Sequence, residues 1–415
     1  MRFKHGVVGG RAASLALPEH RRQSPLRLEE FDVTLHQTLP PLIIKGKKIR
    51  LPIIQGGMGI GVSLSPLASA VAREGGLGII SSACLDRLVS RKTGKKHTTY
   101  EAVRHEISVA KSSGGAVGIN IMVAIARDYD DTVRGAIDAG ADVIISGGGL
   151  PLALPAIKQP GETALIPIVS SPRALELICK KWERCGYRPD AVVLEGPLAG
   201  GHLGFKHAEV HLEANRLENL FPLVKETALR HGGFPVIVAG GIFTREDIQR
   251  FLHMGADGVQ MGTRFLATEE SSASSAYKQA VVRATREDIV VSHIPGSPCG
   301  MPFMVIRQSP MFVSALAKAR PPRCDKGYLV PKDRDGKSNP CPANSMPEAH
   351  FCICNGLLSS AGYNPQEEEP LYTVGPNGYR VDKIVTVNSL MHELAGSTQP
   401  VSTHSPRSQQ PRSLT

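Results

Sequence analysis

The sequence predicts an α/β protein: one (β/α)8 TIM barrel with a small, mainly helical and loop-rich C-terminal appendage. Three observations predict this fold: eight short apolar runs, helix-length stretches between them, and glycine clusters directly after the first, seventh and eighth runs. The chain has 415 residues, whereas a barrel of this type takes roughly 250 residues. One barrel and a smaller appendage therefore account for the length.

The apolar runs are interpreted as strands because they are continuous rather than alternating, as in strands buried on both faces. The predicted strands cover residues 51–55, 77–81, 116–121, 141–146, 166–170, 191–195, 235–239 and 257–261. The predicted helices between them cover residues 66–74, 100–112, 129–139, 172–185, 213–231 and 244–253, the last with an N-cap pattern at Thr244 and Asp247. An open doubly wound sheet is the alternative, but it usually has fewer strands and carries its phosphate-binding glycines in the first strand–helix turn.

The alternation of predicted strands and helices defines four segments of the chain. They are a lead-in at 1–38, the barrel at 39–270, a helical and loop-rich region at 271–395 that is expected to cover the substrate, and a disordered tail at 396–415. Within the third segment we expect helices near 275–284 and 311–319. The same segment holds four cysteines: Cys324, Cys341, Cys352 and Cys354. Their spacing is not that of paired CxxC zinc knuckles, so we predict no metal, and a zinc site or an iron–sulfur cluster is the alternative.

Composition narrows the class of partner. The formal net charge is +10, but aromatic residues make up only 5% of the chain and no basic stripe accompanies them, so nucleic acid is not an expected partner. No run of 18 or more apolar residues is present, so no membrane span is expected. The first residues are polar and arginine-rich without an apolar core of a signal peptide, which predicts a cytoplasmic, reducing location.

The ends of the last two predicted strands carry a phosphate-binding pattern. Gly240 and Gly241 follow the seventh strand, and Gly262 and Thr263 follow the eighth. Loops at these two positions form a phosphate site in many barrels, because glycine N–H groups and a hydroxyl can donate to phosphate oxygens. The alternative is that small residues simply allow the barrel to close. The co-occurrence of both loops at these strand numbers favours phosphate.

Other strand ends carry groups suited to a flat ring. Gly57 and Met58 follow the first strand, where glycine permits close approach of the backbone. Asn120 follows the third strand and Ser146 the fourth, and an amide and a hydroxyl can address a ring edge with donors and acceptors, as in the pyrimidine of a flavin. Strand-end capping is the alternative for both residues.

A histidine follows the sixth predicted strand. His202 ends the glycine-rich stretch at 199–202, which also contains Gly200 and Gly201. Its position at the chemical end of the barrel and its near-neutral pKa suit a general acid or base. The alternative is a structural or merely exposed histidine. Glu195, at the end of the same strand, is interpreted as holding the loop or meeting a cofactor hydroxyl.

Four stretches together resemble the nitronate monooxygenase (2-nitropropane dioxygenase) family, which includes flavin-dependent enoyl-acyl-carrier-protein reductases. They are residues 51–82, AGGH at 199–202, AGGI at 239–242 and MGTRF at 261–265. The resemblance covers residues 40–270 and implies a TIM barrel with non-covalent FMN. It implies a set of roles: Gly57, Met58 and Asn120 near the isoalloxazine, Gly200 and Gly201 flanking it, Gly240, Gly241, Gly262 and Thr263 on the phosphate, and His202 as the catalytic residue.

This resemblance predicts an FMN-dependent oxidoreductase that oxidises alkyl nitronates with O2 to a carbonyl compound and nitrite, His202 removing the α-proton of a neutral nitroalkane. The alternative is an NAD(P)H-dependent reductase of enoyl thioesters or quinones, because His202 is followed by Leu203 and Gly204 rather than by the Arg-Gly of many nitronate monooxygenases. A third hypothesis is a flavin-binding subunit of a larger assembly. The oligomeric state stays open, a homodimer included.

Overall fold

The structure, a computed structural model, describes residues 38–317, 341–346, 348–363, 366 and 368–396. Cys324 and nearly all of the predicted lead-in and of the predicted disordered tail lie outside these residues. The strands in the described ranges are β1 (Leu42–Ile44), β2 (Lys47–Ile49), β3 (Ile53–Gln55), β4 (Leu77–Ser81), β5 (Ala116–Met122), β6 (Val143–Gly147), β7 (Ala164–Val169), β8 (Val192–Glu195), β9 (Gly201–His202), β10 (Val236–Ala239), β11 (Gly258–Met261), β12 (Ile289–Ser292) and β13 (Phe303–Ile306).

The helices surround these strands. In the same described ranges they are α1 (Ser65–Arg73), α2 (Leu85–Thr93), α3 (Thr99–Lys111), α4 (Tyr129–Asp138), α5 (Leu154–Ile157), α6 (Pro172–Glu183), α7 (Leu217–Arg230), α8 (Arg245–His253), α9 (Thr263–Leu266), α10 (Ser275–Arg283), α11 (Pro310–Leu316), α12 (Pro342–Ser345), α13 (Ile353–Ser360) and α14 (Val387–Ala395). None of these helices is long and apolar enough to cross a membrane.

The predicted barrel is confirmed. Eight strands form a closed, parallel barrel in the order β3, β4, β5, β6, β7, β8, β10 and β11, with β11 pairing to β3. Each strand lies within two residues of a predicted apolar run at both ends. The predicted N-cap is also present, since the Thr244 side chain accepts the Asp247 N–H at 3.3 Å and Asp247 accepts the Thr244 N–H at 3.0 Å.

A hairpin that the sequence did not reveal packs against one end of the barrel. Strands β1 and β2 pair antiparallel, and their buried residues Leu42, Ile44 and Ile49 join the cluster that fills the barrel interior. Gly258, at the start of β11, lies against the hairpin, because a Cβ placed there would be 3.1 Å from a methyl of Leu42. The hairpin therefore closes the amino-terminal end, opposite the strand ends that were predicted to carry the chemistry.

The appendage contains the expected helices and an unexpected sheet. Helices α10 and α11 match the predictions near 275–284 and 311–319. Strands β12 and β13 pair antiparallel, and β13 also pairs with β9, so that Phe303 lies opposite His202 and Met304 opposite Gly201. These strands were missed because each apolar run is only four residues long and its pairing partner lies in a distant barrel loop.

Candidate active site

One cavity of about 1150 Å³ opens at the carboxyl ends of the barrel strands. Barrel loops line one side, and the appendage contributes residues from β13, α13 and the segment 373–377. The cavity brings together most of the predicted site: Gly57, Met58, Asn120, Gly200, Gly201, His202, Gly240, Gly241, Gly262 and Thr263. Of the predicted site residues, only Ser146 is not among the residues that line it.

Ser146 lies on the other face of its strand. Its hydroxyl donates to the Ile121 carbonyl at 3.1 Å and shares a hydrogen bond of 2.8 Å with the Tyr129 hydroxyl of α4. Along β6, Ile145 faces the barrel interior and Ser146 faces the helices, as alternation along a strand requires. We therefore remove Ser146 from the candidate binding residues.

The loops after β10 and β11 present backbone donors to the cavity. Gly240 and Gly241 have φ angles of +90° and +96°, a region that residues with a Cβ rarely adopt. A Cβ at Gly240 would also lie 2.7 Å from the Gly196 carbonyl oxygen. The N–H groups of Gly241, Gly262 and Thr263 have no acceptor among the described residues. Three such donors beside one cavity suit a phosphate group.

A segment of the appendage, 373–377, covers this end of the cavity. The Gly375 N–H donates to the Thr263 hydroxyl oxygen at 3.2 Å, and the Asn377 amide donates to the Gly241 carbonyl at 2.8 Å. Because the Thr263 oxygen accepts in this bond, its own O–H remains available as a donor. The covering segment is itself fixed, since Thr373 donates to the Met304 carbonyl at 2.5 Å.

The loops after β3 and β11 meet beside Asn120. The Gly56 N–H donates to the Met261 carbonyl at 2.8 Å, and a Cβ at Gly57 would lie 2.3 Å from the Cβ of Asn120. Only a glycine allows this approach, which leaves the Gly57 backbone and the Asn120 amide side by side at the cavity wall. This pairing suits a flat ring that needs donors and acceptors at its edge.

Two polar side chains of the cavity, Glu195 and Gln260, lie on the two strands that flank β10, and of these Gln260 was not among the predicted cofactor ligands. Ala239 of β10 pairs in register with Glu195 of β8 on one side and with Gln260 of β11 on the other. The Gln260 side-chain oxygen is buried without a hydrogen-bond partner in the described structure. Burial raises the pKa of Glu195 to about 7. Both residues line the cavity, and their signal in the sequence was a polar residue within an otherwise apolar run.

His202 also lines the cavity and lies between two residues of the appendage. The Phe303 ring contacts the imidazole edge-on, with 4.8 Å between centroids and 73° between planes. Nε2 of His202 lies 2.8 Å from the Ser297 hydroxyl oxygen. Burial lowers the pKa of His202 to about 4, so the imidazole is neutral across the physiological range and can accept a proton. Neither Phe303 nor Ser297 was predicted, because nothing in the sequence links them to the barrel loop.

The described cysteines of the appendage do not lie together at the cavity. Cys341 and Cys352 are buried in one small cluster with Ala343, whereas Cys354 lines the main cavity. Among the described residues, no group of three or more His, Cys, Asp or Glu side chains is placed to hold a metal ion. Because Cys324 lies outside those residues, the absence of a metal stays a prediction.

The fold and the cavity define the class of this protein as a (β/α)8 barrel whose functional site lies at the carboxyl ends of its strands. The model of the nitronate monooxygenase family matches residues 41–396, and the chain belongs to this family. The resemblance seen in the motifs is thereby confirmed. Membership makes the protein an oxidoreductase and implies a flavin cofactor.

Curated relatives include two with different names. The chain is 31% identical over 261 residues to a Mycobacterium tuberculosis protein named (3aS,4S,5R,7aS)-5-hydroxy-7a-methyl-1-oxo-octahydro-1H-indene-4-carboxyl-CoA dehydrogenase, a match that covers 62% of this chain and 64% of that protein. It is 30% identical over 308 residues to the nitronate monooxygenase of Pseudomonas aeruginosa, covering 68% of this chain and 83% of the relative.

Solved structures agree with the fold. FabK from Thermotoga maritima superposes with a TM-score of 0.60 at 27% identity, covering 83% of this chain and 92% of that chain. Nitroalkane oxidase from Streptomyces ansochromogenes superposes with a TM-score of 0.59 at 22% identity, covering 84% of this chain and 96% of that chain. The second likeness supports the fold alone.

Proposed function

We propose that the flavin is FMN and that its phosphate binds between the loops after β10 and β11. The N–H groups of Gly241, Gly262 and Thr263 without acceptors support this assignment, as does the available Thr263 hydroxyl. Asn377 and Gly375 hydrogen-bond across the same loops. This cover favours a monophosphate, because the second phosphate and adenosine of FAD would have to pass the same hydrogen bonds.

The remaining cofactor contacts are assigned to other residues that line the cavity. Gly57, Met58 and Asn120 would hold one edge of the ring, and Gly200 and Gly201 would flank it. The buried side-chain oxygen of Gln260 lacks a partner in the described structure, and a cofactor hydroxyl would supply one. Placing a donor there removes the cost of a buried unsatisfied polar group, about 1–3 kcal/mol.

The function that this site supports best is the oxidation of alkyl nitronates with O2 to a carbonyl compound and nitrite. The observation that carries the proposal is the position of His202, which lines the same cavity as the phosphate loops, and burial, which lowers the pKa of its imidazole, favours the neutral form that can accept a proton. A bound flavin supplies the two-electron redox chemistry. The protein supplies the proton chemistry: His202 accepts the α-proton of a neutral nitroalkane.

Anaerobic mixing of the purified yellow protein with a nitronate, NADH or NADPH tests this proposal. A nitronate should bleach the flavin within the time of turnover, and admission of O2 should restore the colour with release of nitrite. Bleaching by NADH or NADPH alone, with no response to the nitronate, would contradict it.

A reductase of enoyl thioesters or quinones is the second candidate. The volume of about 1150 Å³ exceeds the usual range of roughly 300–1,000 Å³ for a small-molecule pocket, so the cavity has room for a flavin and a substrate larger than a nitronate. Two further features favour a reductase: His202 is followed by Leu203 rather than by an arginine, and the Mycobacterium tuberculosis relative is named as a carboxyl-CoA dehydrogenase. Bleaching by NAD(P)H, followed by recovery of colour on adding an enoyl thioester, would favour this candidate.

A further inference from the structure

The contact between His202 and Ser297 joins the barrel to the appendage. Ser297 lies in the connection between β12 and β13, is 2% exposed, and places its hydroxyl oxygen 2.8 Å from Nε2 of His202. No described residue hydrogen-bonds Nδ1 of the same ring. The two nitrogens therefore differ: one contacts a buried hydroxyl, and the other has no protein partner in the described structure.

The Ser297 hydroxyl is fixed by a third residue. The Cys299 N–H donates to the Ser297 oxygen at 3.3 Å, and the Cys299 sulfur lies 2.9 Å from the same oxygen. A hydroxyl has one proton and two acceptor lone pairs. Because the Cys299 N–H occupies one lone pair, the remaining lone pair and the proton are shared between His202 and the Cys299 sulfur.

This count leaves two arrangements. In the first, the His202 Nε2–H donates to the hydroxyl and the hydroxyl donates to sulfur, so Nδ1 carries the lone pair of the imidazole. In the second, the thiol donates to the hydroxyl and the hydroxyl donates to Nε2, so Nδ1 carries the proton. Each arrangement contains one strong bond between His202 and the hydroxyl and one weak bond between the hydroxyl and the thiol. Only the first arrangement leaves a lone pair on Nδ1, which a general base at the nitrogen without a protein partner requires.

We propose that Ser297 is a positioning residue that holds His202 in the Nε2–H tautomer and leaves Nδ1 as the atom that accepts the substrate proton. Phe303 limits rotation of the ring by its edge contact, and Ser297 selects its proton arrangement. The contact between Ser297 and His202 stands on geometry, and the choice of tautomer rests on the proposed function, because only the Nε2–H form leaves Nδ1 able to accept a proton.

Nitrogen NMR of protein labelled with ¹⁵N-histidine tests the tautomer without any turnover. The His202→Gln variant identifies the His202 signals by their loss. The wild-type protein should show Nε2 protonated and Nδ1 unprotonated at neutral pH. Ser297→Ala should give a mixture of tautomers, Ser297→Thr should restore the wild-type pattern, and Ser292→Ala should leave the pattern unchanged. Ser292 is the matched control because it is a buried serine of the same hairpin whose hydroxyl contacts Pro295.

A wild-type spectrum with Nδ1 protonated, or an unchanged tautomer in Ser297→Ala, would overturn the proposal. The wild-type measurement alone keeps the test valid if Ser297→Ala fails to fold. Kinetics provide the second measurement: Ser297→Ala should lose about tenfold in kcat/KM on a neutral nitroalkane, the size expected for one hydrogen bond, and little on the pre-ionised nitronate. If the protein shows the predicted tautomer but oxidises neither the nitroalkane nor the nitronate, the result would contradict the proposed function and leave the positioning role of Ser297 intact.

Discussion

The proposed phosphate site and the surroundings of His202 are built differently. The phosphate site takes its donors from two barrel loops, after the adjacent strands β10 and β11. The surroundings of His202 combine one barrel residue with Ser297 and Phe303 of the appendage. The phosphate site therefore depends on barrel closure, whereas the surroundings of His202 depend on the pairing of β13 with β9.

This difference separates cofactor binding from proton transfer. Substitutions in the loops after β10 and β11 should remove the flavin without touching the His202 contacts. Substitutions around His202 should leave the flavin bound and change the chemistry.

Gly241→Glu should abolish flavin binding in a protein that still folds. The glutamate would bring a negative charge to the proposed phosphate site, where the Gly241 position already lies 3.1 Å from the Leu198 side chain when a Cβ is added. Gly255→Glu is the matched control, because Gly255 has a similar φ of +99° but no atom within 4 Å of an added Cβ. Flavin content after purification measures the effect, and full retention of flavin by Gly241→Glu would show that the phosphate lies elsewhere.

Gln260→Leu should have opposite effects on the two forms of the protein. In flavin-free protein it removes a buried oxygen without a partner in the described structure, so the free energy of unfolding should rise by about 1 kcal/mol or more. In the flavin-bound protein it removes a cofactor contact, so flavin affinity should fall about tenfold.

Gln55→Leu provides the comparison, since the Gln55 amide donates to Ser63 at 2.9 Å and accepts from the Ile79 N–H at 3.1 Å. This variant should destabilise the flavin-free protein. A destabilised Gln260→Leu with unchanged flavin affinity would remove Gln260 from the proposed site.

Glu195 should make the flavin-free protein less stable as pH rises. Burial raises the pKa of this carboxyl from 4.5 to about 7, so between these values the folded protein retains a proton that the unfolded chain has released. The free energy of unfolding therefore falls as pH increases through this window. Glu195→Gln, which stays neutral, should raise the melting temperature relative to wild type more at about pH 8 than at about pH 5. An equal difference at both values would contradict the shifted pKa.

The barrel was predictable because buried parallel strands leave long apolar runs, and the strand-end rule then located the candidate residues. The face of the strand on which each strand-end residue lies was not predictable. Asn120 and Ser146 both end apolar runs, but Asn120 lines the cavity and Ser146 contacts Tyr129 behind the sheet. When both faces of a strand are buried, the sequence carries no alternation that assigns inside and outside.

The partners of His202 were beyond the sequence for another reason. Ser297 and Phe303 reach the imidazole through the pairing of β13 with a two-residue strand, β9. Such a contact spans 95 residues between His202 and Ser297 and depends on tertiary structure alone. Gln260 and Glu195 were accessible in principle, because a polar residue near the carboxyl end of an apolar strand is costly unless it has a partner.

The most direct test of the central claim compares two substrates in His202→Asn. General-base assistance is worth about 10²–10⁴-fold in rate, so this variant should retain its flavin and lose about that factor in kcat/KM on a neutral nitroalkane. The corresponding nitronate has already lost its proton, so its oxidation should change far less. The measured ratio of the two losses decides the matter: a ratio of about a hundred or more supports His202 as the base, whereas equal losses on both substrates would contradict it.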